Sequence, residues 1–508
     1  MKVLRSKTAQ STKVGDPRTE LILVSNREPY EHHLRKGQST CQRSDGGLTA
    51  VLDPVLKRIG GVWIAWGSGE ADRSVTDPEG RVAVPPDAPA YSLHRVWLTA
   101  DEVKGGYQGY ANQVLWPLCH ITLDRVAYRR RYWTDYVQLN RRFAESVIQE
   151  LQTRTGLIWI HDFHLALLPR FIKDLYPTSV VAFFWHIPWP GPEVFRILPE
   201  GREILSTLLA ADSVAFQTQG HAHAFMECAR QFLAADVDPV RQTVLFKGHS
   251  THVTARGISI DVQAYAEQAR APQMTRLMAG IRRQCGGSAM RIGLGVDRLD
   301  YTKGLLKRFR ALDQFFGRYP EYRGRVTFLQ IAIPTRKDVE IYRRYRKLIW
   351  QEVLEINERH RGGRGDVSQK WQPILYMEDH LSFEQLVAHY RVADFSLVSS
   401  VNDGMNLVAK EYIASQVDES GVLLISQMAG AAEELTDALI INPYDAEGVA
   451  DSIRQALEMP IDERRRRMRA MRAYLQVHDI NAWMDGCLAD AGISMDQNKV
   501  EQAVQTVR

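Results

Sequence analysis

Ser399-Ser-Val-Asn-Asp-Gly-Met-Asn-Leu-Val-Ala-Lys-Glu411 is the stretch that decides the fold. The apolar run 395–398 before it predicts a buried strand. Two serines and the turn residues Asn402, Asp403 and Gly404 stop that strand, and a helical pattern opens at Leu407, Val408 and Ala409. Strand, loop and helix in that order make a corner of a parallel α/β sheet, where ligands sit beyond the carboxyl ends of strands. Free amides at a new helix start favour anions, phosphate above all. Asp403 is placed to cap that helix or to hold sugar hydroxyls, with Glu411 about two turns further on.

Outward from this corner, short apolar runs recur at residues 21–24, 157–160, 180–184 and 214–216, then at 292–296, 326–333, 422–425 and 439–441. Strands of this length, buried on both faces and alternating with helical stretches, specify parallel sheets. Residues 258–290 read as polar helix without a strand, and they separate two such series. The expected architecture is α/β, two doubly wound Rossmann-like domains joined near residues 256–262. A closing helical segment over 445–491 packs back across them.

Composition narrows the partners. A net charge of +4 on 508 residues is too small to call for nucleic acid, and no apolar run has the length of a membrane span. The leader, 1–20, is polar and basic without an apolar core, so a flexible tail is expected and not a signal peptide. Cys41, Cys119, Cys228, Cys285 and Cys487 are widely spaced, which fits reduced thiols in the cytoplasm without structural zinc. The arginines at 464–467, with Arg469 and Arg472, read as the solvated face of a surface helix.

Polar residues stand at the predicted strand ends. Ile158-Trp-Ile-His-Asp162 delivers Asp162, and Phe183-Phe-Trp-His186 delivers His186. The stretch from Ile292 delivers Arg298 and Lys303, and the one from Leu329 delivers Arg336. Carboxyl ends of strands from two domains face one cleft, and three cations beside a helix start suit a doubly phosphorylated ligand. Arg298 could instead pair with Asp297 or Asp300. His161-Asp162-Phe163-His164 lacks the companions a metal site needs, Gly293-Leu-Gly295 lacks the third glycine of a dinucleotide fingerprint, and Asp236-Val-Asp-Pro-Val240 reads as a turn.

Ser25-Asn-Arg27, Asp45-Gly-Gly-Leu48, Tyr107, Leu115-Trp-Pro117, Trp159-Ile-His-Asp-Phe-His164, His186-Ile-Pro-Trp-Pro190, Arg298-Leu-Asp-Tyr-Thr-Lys-Gly304 and Asp403-Gly-Met-Asn-Leu-Val-Ala-Lys-Glu-Tyr412 occur in that order. The chain resembles the trehalose-6-phosphate synthases, retaining family 20 glycosyltransferases of the GT-B fold. The likeness runs over about residues 21–490. It implies an acceptor domain over 21–257, a nucleotide-sugar domain over 258–478, and a helical crossover and tail over 479–508 that packs on the first domain.

The resemblance also implies glucose transfer from a nucleotide diphosphate glucose, usually UDP-glucose, to glucose 6-phosphate with retention, commonly for osmoprotection. Arg298 and Lys303 would bind the donor diphosphate, approached by the Gly46-Gly47 loop. Glu411 would take the ribose, with Leu407 and Val408 along the nucleotide, while His186 and Asp403 would hold the transferred glucose. Arg27 and Arg336 would clamp the acceptor phosphate, with Tyr107, Trp116 and Asp162 shaping the sugar pocket. No metal and no cofactor beyond the nucleotide-sugar co-substrate are implied; partners are the substrates, with a homo-oligomer left open. Two other readings stand beside it. Arg27-Glu-Pro-Tyr30 also opens the glucosylglycerol-phosphate synthases, which use ADP-glucose and glycerol 3-phosphate, although Arg336 and the Gly46-Gly47 pair are trehalose-type features. A silent regulatory homologue is the other; it would have no need to keep Arg298, Lys303, His186, Asp403 and Glu411 together.

Overall fold

A computed structural model describes residues 20–35, 37–43, 47–154, 156–336, 339–361 and 371–492. The expected leader, up to residue 19, and Gly46 lie outside those residues. In the first lobe the strands run, edge to edge, Asp236–Asp238, Thr243–Phe246, His249–Ala255, Ser213–Phe216, Val180–Trp185, Gly156–His161, Glu20–Arg27, Val62–Trp66, Tyr91–Val96 and Arg81–Val84. From His249–Ala255 to Tyr91–Val96 the pairing is parallel, and the outer strands are antiparallel. The chain winds one way from Glu20–Arg27 and the other way from Gly156–His161, so the switch point lies between these two strands.

The second sheet is wholly parallel: Ile374–Met377, Val326–Ile333, Arg291–Arg298, Phe395–Val398, Val422–Ser426 and Leu439–Ile441. Its switch point falls between Arg291–Arg298 and Phe395–Val398. Crevices at the carboxyl side of such points are where open α/β sheets bind ligands. Those ends carry Arg27 and Asp162 in one lobe, and Arg298 and the loop 399–406 in the other.

All nine predicted runs are strands. Tyr91–Val96 was not legible, because buried polar residues interrupt its apolar pattern: His94 faces Glu150 at 2.6 Å, and Arg95 donates from Nε to Glu28 at 2.8 Å. Asp236–Asp238, expected as a turn, is an edge strand whose register with Thr243–Phe246 the following turn closes. The arginine-rich helix Ile461–Val477 needs a second correction. Arg464 and Arg472 are buried and donate to the carbonyls of Met459, Ala456, Ile413 and Ala414, while their neighbours stay solvated. Each guanidinium thus serves carbonyls left without helical partners.

The helices Val262–Arg270 and Met274–Gln284 fill the strandless stretch between the lobes. The last described helix, Ile480–Asp490, returns to the first lobe. There Asp490 pairs with Arg256 at 2.7 Å, and Trp483 packs its ring 5.4 Å from that of Trp159 and 5.2 Å from that of Phe184. Among the described residues no helix is long and apolar enough to cross a membrane. Replacing a buried tryptophan by alanine typically costs about 3–5 kcal/mol through lost burial and a cavity. Trp483→Ala is therefore expected to shift the urea unfolding of the first lobe to markedly lower concentration; an unchanged midpoint would show that the crossover helix contributes nothing.

Candidate active site

Tyr107 and Trp116 reach the cleft from an unusual element. Glu102–Leu115 is wound as a π-helix and runs directly into the turn Trp116–Cys119. It lies flat on the helix Arg130–Leu151 because glycines face that helix: a Cβ at Gly105 would stand 1.9 Å from Asp135 Oδ2. Wide turns of this kind concentrate at functional sites.

Around these rings the structure gathers three more of the predicted residues. Arg27 donates from Nη2 to the Tyr107 hydroxyl at 3.3 Å. The Arg336 guanidinium sits 4.2 Å from the Trp116 ring centre, and that of Arg298 sits 5.6 Å away. Both arginines belong to the second lobe, so one tryptophan of the first lobe carries two cations from across the cleft. Trp116 Nε1 is buried without a hydrogen-bond partner among the described residues. His164, which the sequence did not single out, stacks on Tyr107 with ring centres 5.6 Å apart.

The charges are unevenly answered. Arg336 donates to Asp300 Oδ2 at 2.8 Å and to the Tyr342 hydroxyl, with a left-handed backbone at φ 46°. Asp300 is held ionised below its usual range: burial pushes it up, but Arg336, Arg298 and the Thr302 amide outweigh it. Asp297 pairs instead with Arg308. Neither aspartate takes Arg298, whose guanidinium has no hydrogen bond or ion pair among the described residues. Desolvation and the neighbouring Arg336 charge pull the Arg298 pKa down. Burial raises the Tyr107 pKa, yet Arg27, Arg336 and Arg298 together leave it lowered. This is a pocket with surplus positive charge.

Asp162 stands at the rim of the same pocket, with a left-handed backbone at φ 78°. Its Oδ1 accepts from the His186 amide at 3.2 Å. Burial raises its pKa to about 7, against the Phe163 and His186 amides and the two arginines. The unfolded carboxyl therefore ionises first as pH rises, and the folded state loses stability between about pH 4 and 7. Asp162→Asn is expected to flatten that part of the melting temperature against pH curve; a parallel curve would place the titration elsewhere.

Lys303 and Asp403 form a second cluster. Lys303 Nζ lies 2.5 Å from Asp403 Oδ2, which also accepts from Ser400 Oγ at 3.0 Å and Asn406 Nδ2 at 3.1 Å. Burial pushes the carboxyl up, but Lys303 and Asn406 outweigh it and hold its pKa at about 2. Asp403 does not cap the helix. That is done by Asn406, at φ 88°, whose Oδ1 accepts from the Ala409 amide at 3.1 Å. The helix is Leu407–Ser415, so Glu411 is one turn in, where its Oε2 accepts from Tyr390 at 2.6 Å. Gly47 opens a helix of the first lobe and faces Leu407: a Cβ there would be 3.7 Å from Leu407 Cδ1. Val408 is half-buried beside it.

The imidazole of His186 is turned inward. Gln217 Oε1 accepts from the Ile258 amide at 2.9 Å, so its Nε2 donates to His186 Nδ1 at 3.2 Å. The proton of His186 then sits on Nε2, 3.0 Å from His161 Nδ1. Burial drops the His186 pKa to about 3, so this ring is neutral. What it offers the second lobe is its carbonyl, against which Gly404 packs so closely that a Cβ would stand 2.2 Å away.

Beneath the second-lobe cluster lies Arg308, which sequence reading passed over. Its guanidinium bonds Asp297, donates to Ser399 Oγ at 3.0 Å and to Gln330 Oε1 at 2.7 Å. Those three residues lie on the strands or strand ends leading to Arg298, Asp403 and Arg336. Removing one partner of a buried pair typically costs about 3–5 kcal/mol. Arg308→Met is expected to lower the unfolding midpoint and also kcat, since it frees three loops at once; loss of stability with kcat unchanged would deny it a positioning role. No group of three or more His, Cys, Asp or Glu that could hold a metal occurs among the described residues.

The description of glycosyltransferase family 20 matches residues 19–492. The trehalose-6-phosphate synthase of Mycobacterium marinum is 37% identical over 484 residues, spanning 93% of both chains. A synthase from Burkholderia xenovorans, solved in complex with glucose-6-phosphate, superposes with a TM-score of 0.82 at 31% identity over 93% of this chain and 100% of that one. A structure from E. coli bound with UDP-2-fluoro glucose does so with a TM-score of 0.82 at 32% identity, over 94% and 100%. With two facing doubly wound lobes and these matches along nearly its whole length, the chain belongs to glycosyltransferase family 20.

Proposed function

We propose that this protein transfers glucose from UDP-glucose to glucose 6-phosphate with retention at the anomeric carbon, forming trehalose 6-phosphate. The observation that carries the reading is the uneven charge at the seam: Arg27, Arg298 and Arg336 gather around Tyr107 and Trp116, and the second lobe adds the Lys303–Asp403 pair. The relatives solved with UDP-2-fluoro glucose and with glucose-6-phosphate support these two substrates.

Arg298 and Lys303 take the donor diphosphate, with the Gly46-Gly47 loop against it. As the sugar–phosphate bond breaks, negative charge grows on the departing oxygen, and fixed cations lower that barrier without reorganising. These side chains fill the part a divalent cation plays in other transferases. Asp403, ionised and ringed by donors, accepts from glucose hydroxyls, and the half-buried, neutral His186 holds the same sugar. Glu411 holds the ribose, with Leu407 and Val408 beneath the nucleotide. Arg27 and Arg336 clamp the acceptor phosphate, while Tyr107, Trp116 and Asp162 fix the ring. No enzyme carboxylate attacks: the departing phosphate oxygen takes the proton of the acceptor hydroxyl on the face where the new bond forms.

In this reading residues 21–257 form the acceptor domain, 258–478 the nucleotide-sugar domain, and 479–508 the crossover and tail. The five free thiols, four of them buried, suit the reducing cytoplasm.

The test crosses UDP-, ADP- and GDP-glucose with glucose 6-phosphate and glycerol 3-phosphate, reading release of nucleoside diphosphate. Turnover is expected with UDP-glucose and glucose 6-phosphate. Preference for ADP-glucose with glycerol 3-phosphate would move the chain to the glucosylglycerol-phosphate reaction, and no turnover with any pair would make it a silent homologue. Arg298→Ala should cost orders of magnitude in kcat. Arg336→Ala should raise the KM for glucose 6-phosphate by roughly ten- to a hundredfold, the worth of one charge-assisted contact. An equal loss on the donor side would reverse the acceptor assignment.

A further inference from the structure

The seam between the lobes carries a second, half-open cavity, of about 380 Å³. His120, Thr218 and His221 line it from the first lobe, and Asn402, Gln427 and Tyr444 from the second. Of the residues given roles above, only Asp403 reaches its wall. Gly404 packs on the His186 carbonyl where the seam runs, and Asn402 Nδ2 approaches the Cys119 carbonyl at 3.5 Å. Its volume lies in the range of small-molecule sites, about 300–1,000 Å³.

The chemistry of the lining differs sharply from that of the arginine pocket. No lysine or arginine lines it, and of its carboxylates Asp403 already holds Lys303 while Glu433 bonds Thr218. Burial lowers the pKa of both His120 and His221 to about 4, so these rings are uncharged at neutral pH. His221 Nδ1 is buried and has no partner among the described residues. Tyr444 is exposed, with the Lys307 ammonium 3.7 Å from its ring centre.

A phosphate would meet no cation in this space. Ile121, Val401, Met428 and Ala429 give the wall apolar parts as well, but a wholly apolar ligand would leave the Asn402 and Gln427 amides facing hydrocarbon, which is costly. Hydroxyl groups donate and accept at once, so they answer neutral imidazoles and amides in either orientation. A sugar ring also has an apolar face to lay on a tyrosine. We propose that this cavity binds an uncharged sugar that contacts both lobes. The same chemistry is offered by a disaccharide such as the reaction product stripped of its phosphate and by free glucose.

A ligand that contacts both lobes favours the arrangement in which they are joined, by its differential affinity for that state. During turnover it would hold product in the cleft, lowering kcat and the donor KM together. That kinetic arm rests on the proposed reaction, whereas binding does not.

The experiment titrates the full-length protein, without substrates, with α,α-trehalose, glucose and inorganic phosphate in a calorimeter. The variants are His221→Phe, which keeps the ring and removes its nitrogens, and Tyr444→Ala, which removes the exposed ring. One of the two sugars is expected to bind, phosphate is not, and each variant should weaken the sugar by up to about tenfold, the worth of one lost hydrogen bond or stacking face. In steady-state assays that sugar should lower kcat and KM in parallel for the wild type, and the variants should keep basal turnover and lose this inhibition. If His221→Phe loses basal turnover through misfolding, Tyr444→Ala decides. Absence of heat with both sugars, sugar binding unaltered by the variants, or binding of phosphate that His221→Phe abolishes would each overturn the proposal.

Discussion

Three guanidinium groups from two lobes converge on one tyrosine and one tryptophan, and the rest of the site depends on that convergence. Like charges gathered around one pair of rings near a protein surface repel by energies on the order of 1 kcal/mol or more. The fold answers only part of this. Asp300 neutralises Arg336, the Trp116 ring faces both second-lobe cations, and the Tyr107 hydroxyl accepts from Arg27. Each cation–π contact contributes on the order of 0.5–2 kcal/mol, depending on how dry it is. Arg298 is left with a ring face and no anion. A phosphorylated ligand entering this pocket would relieve an existing repulsion between cations that come from both lobes.

The link between the lobes is fixed just as locally. The peptide of Ile258 is bonded on both sides: its amide donates to Gln217 in the first lobe, and its carbonyl accepts from Lys410 Nζ at 2.7 Å in the second. Lys410 is fully buried on the helix that starts at Leu407 and is paired to Glu434 at 2.6 Å. Gln217 in turn sets the tautomer of His186, and the His186 carbonyl meets Gly404. The link and the helix from Leu407 thus share one chain of hydrogen bonds that runs to His186, whose carbonyl packs against the loop bearing Asp403.

How much of this was legible follows from where polarity lies. Apolar runs buried on both faces announced the strands at 157–160, 292–296 and 395–398, because parallel sheets covered by helices need them. Tyr91–Val96 was hidden, since its inward His94 and Arg95 are satisfied by Glu150 and Glu28, residues far away in sequence. The second-lobe cations were legible as strand-end charges, but not their division of labour. Asp297 and Asp300 flank Arg298 in sequence yet bond Arg308 and Arg336 in space: Asp297 because side chains of a strand alternate faces, Asp300 because it lies past the strand's end, capping the turn 301–303. Taken alone, Asp403 reads as the cap of its helix, and only its companion motifs point to ligand holding; Asn406, in a left-handed conformation, takes the cap. The π-helical path to Trp116 and the turn of His186 toward His161 have no local signal at all. They are set by packing across elements.

The protonation states of the two carboxylates at the cleft bear on how the proposed transfer proceeds. Asp403, at about 2, is ionised at any working pH and cannot donate a proton. It is also committed to Lys303, Ser400 and Asn406, which disperses its charge and weakens it as a nucleophile. Asp162, at about 7, could exchange a proton, but its Oδ1 is tied to the His186 amide and the carboxyl is built into the wall of the arginine pocket. His186 is neutral, and its Nδ1 is already occupied by Gln217. None of these three side chains is free to act as base or nucleophile, so in the proposed transfer the base is the oxygen of the leaving phosphate, and the cations proposed to bind it would also set how basic it becomes.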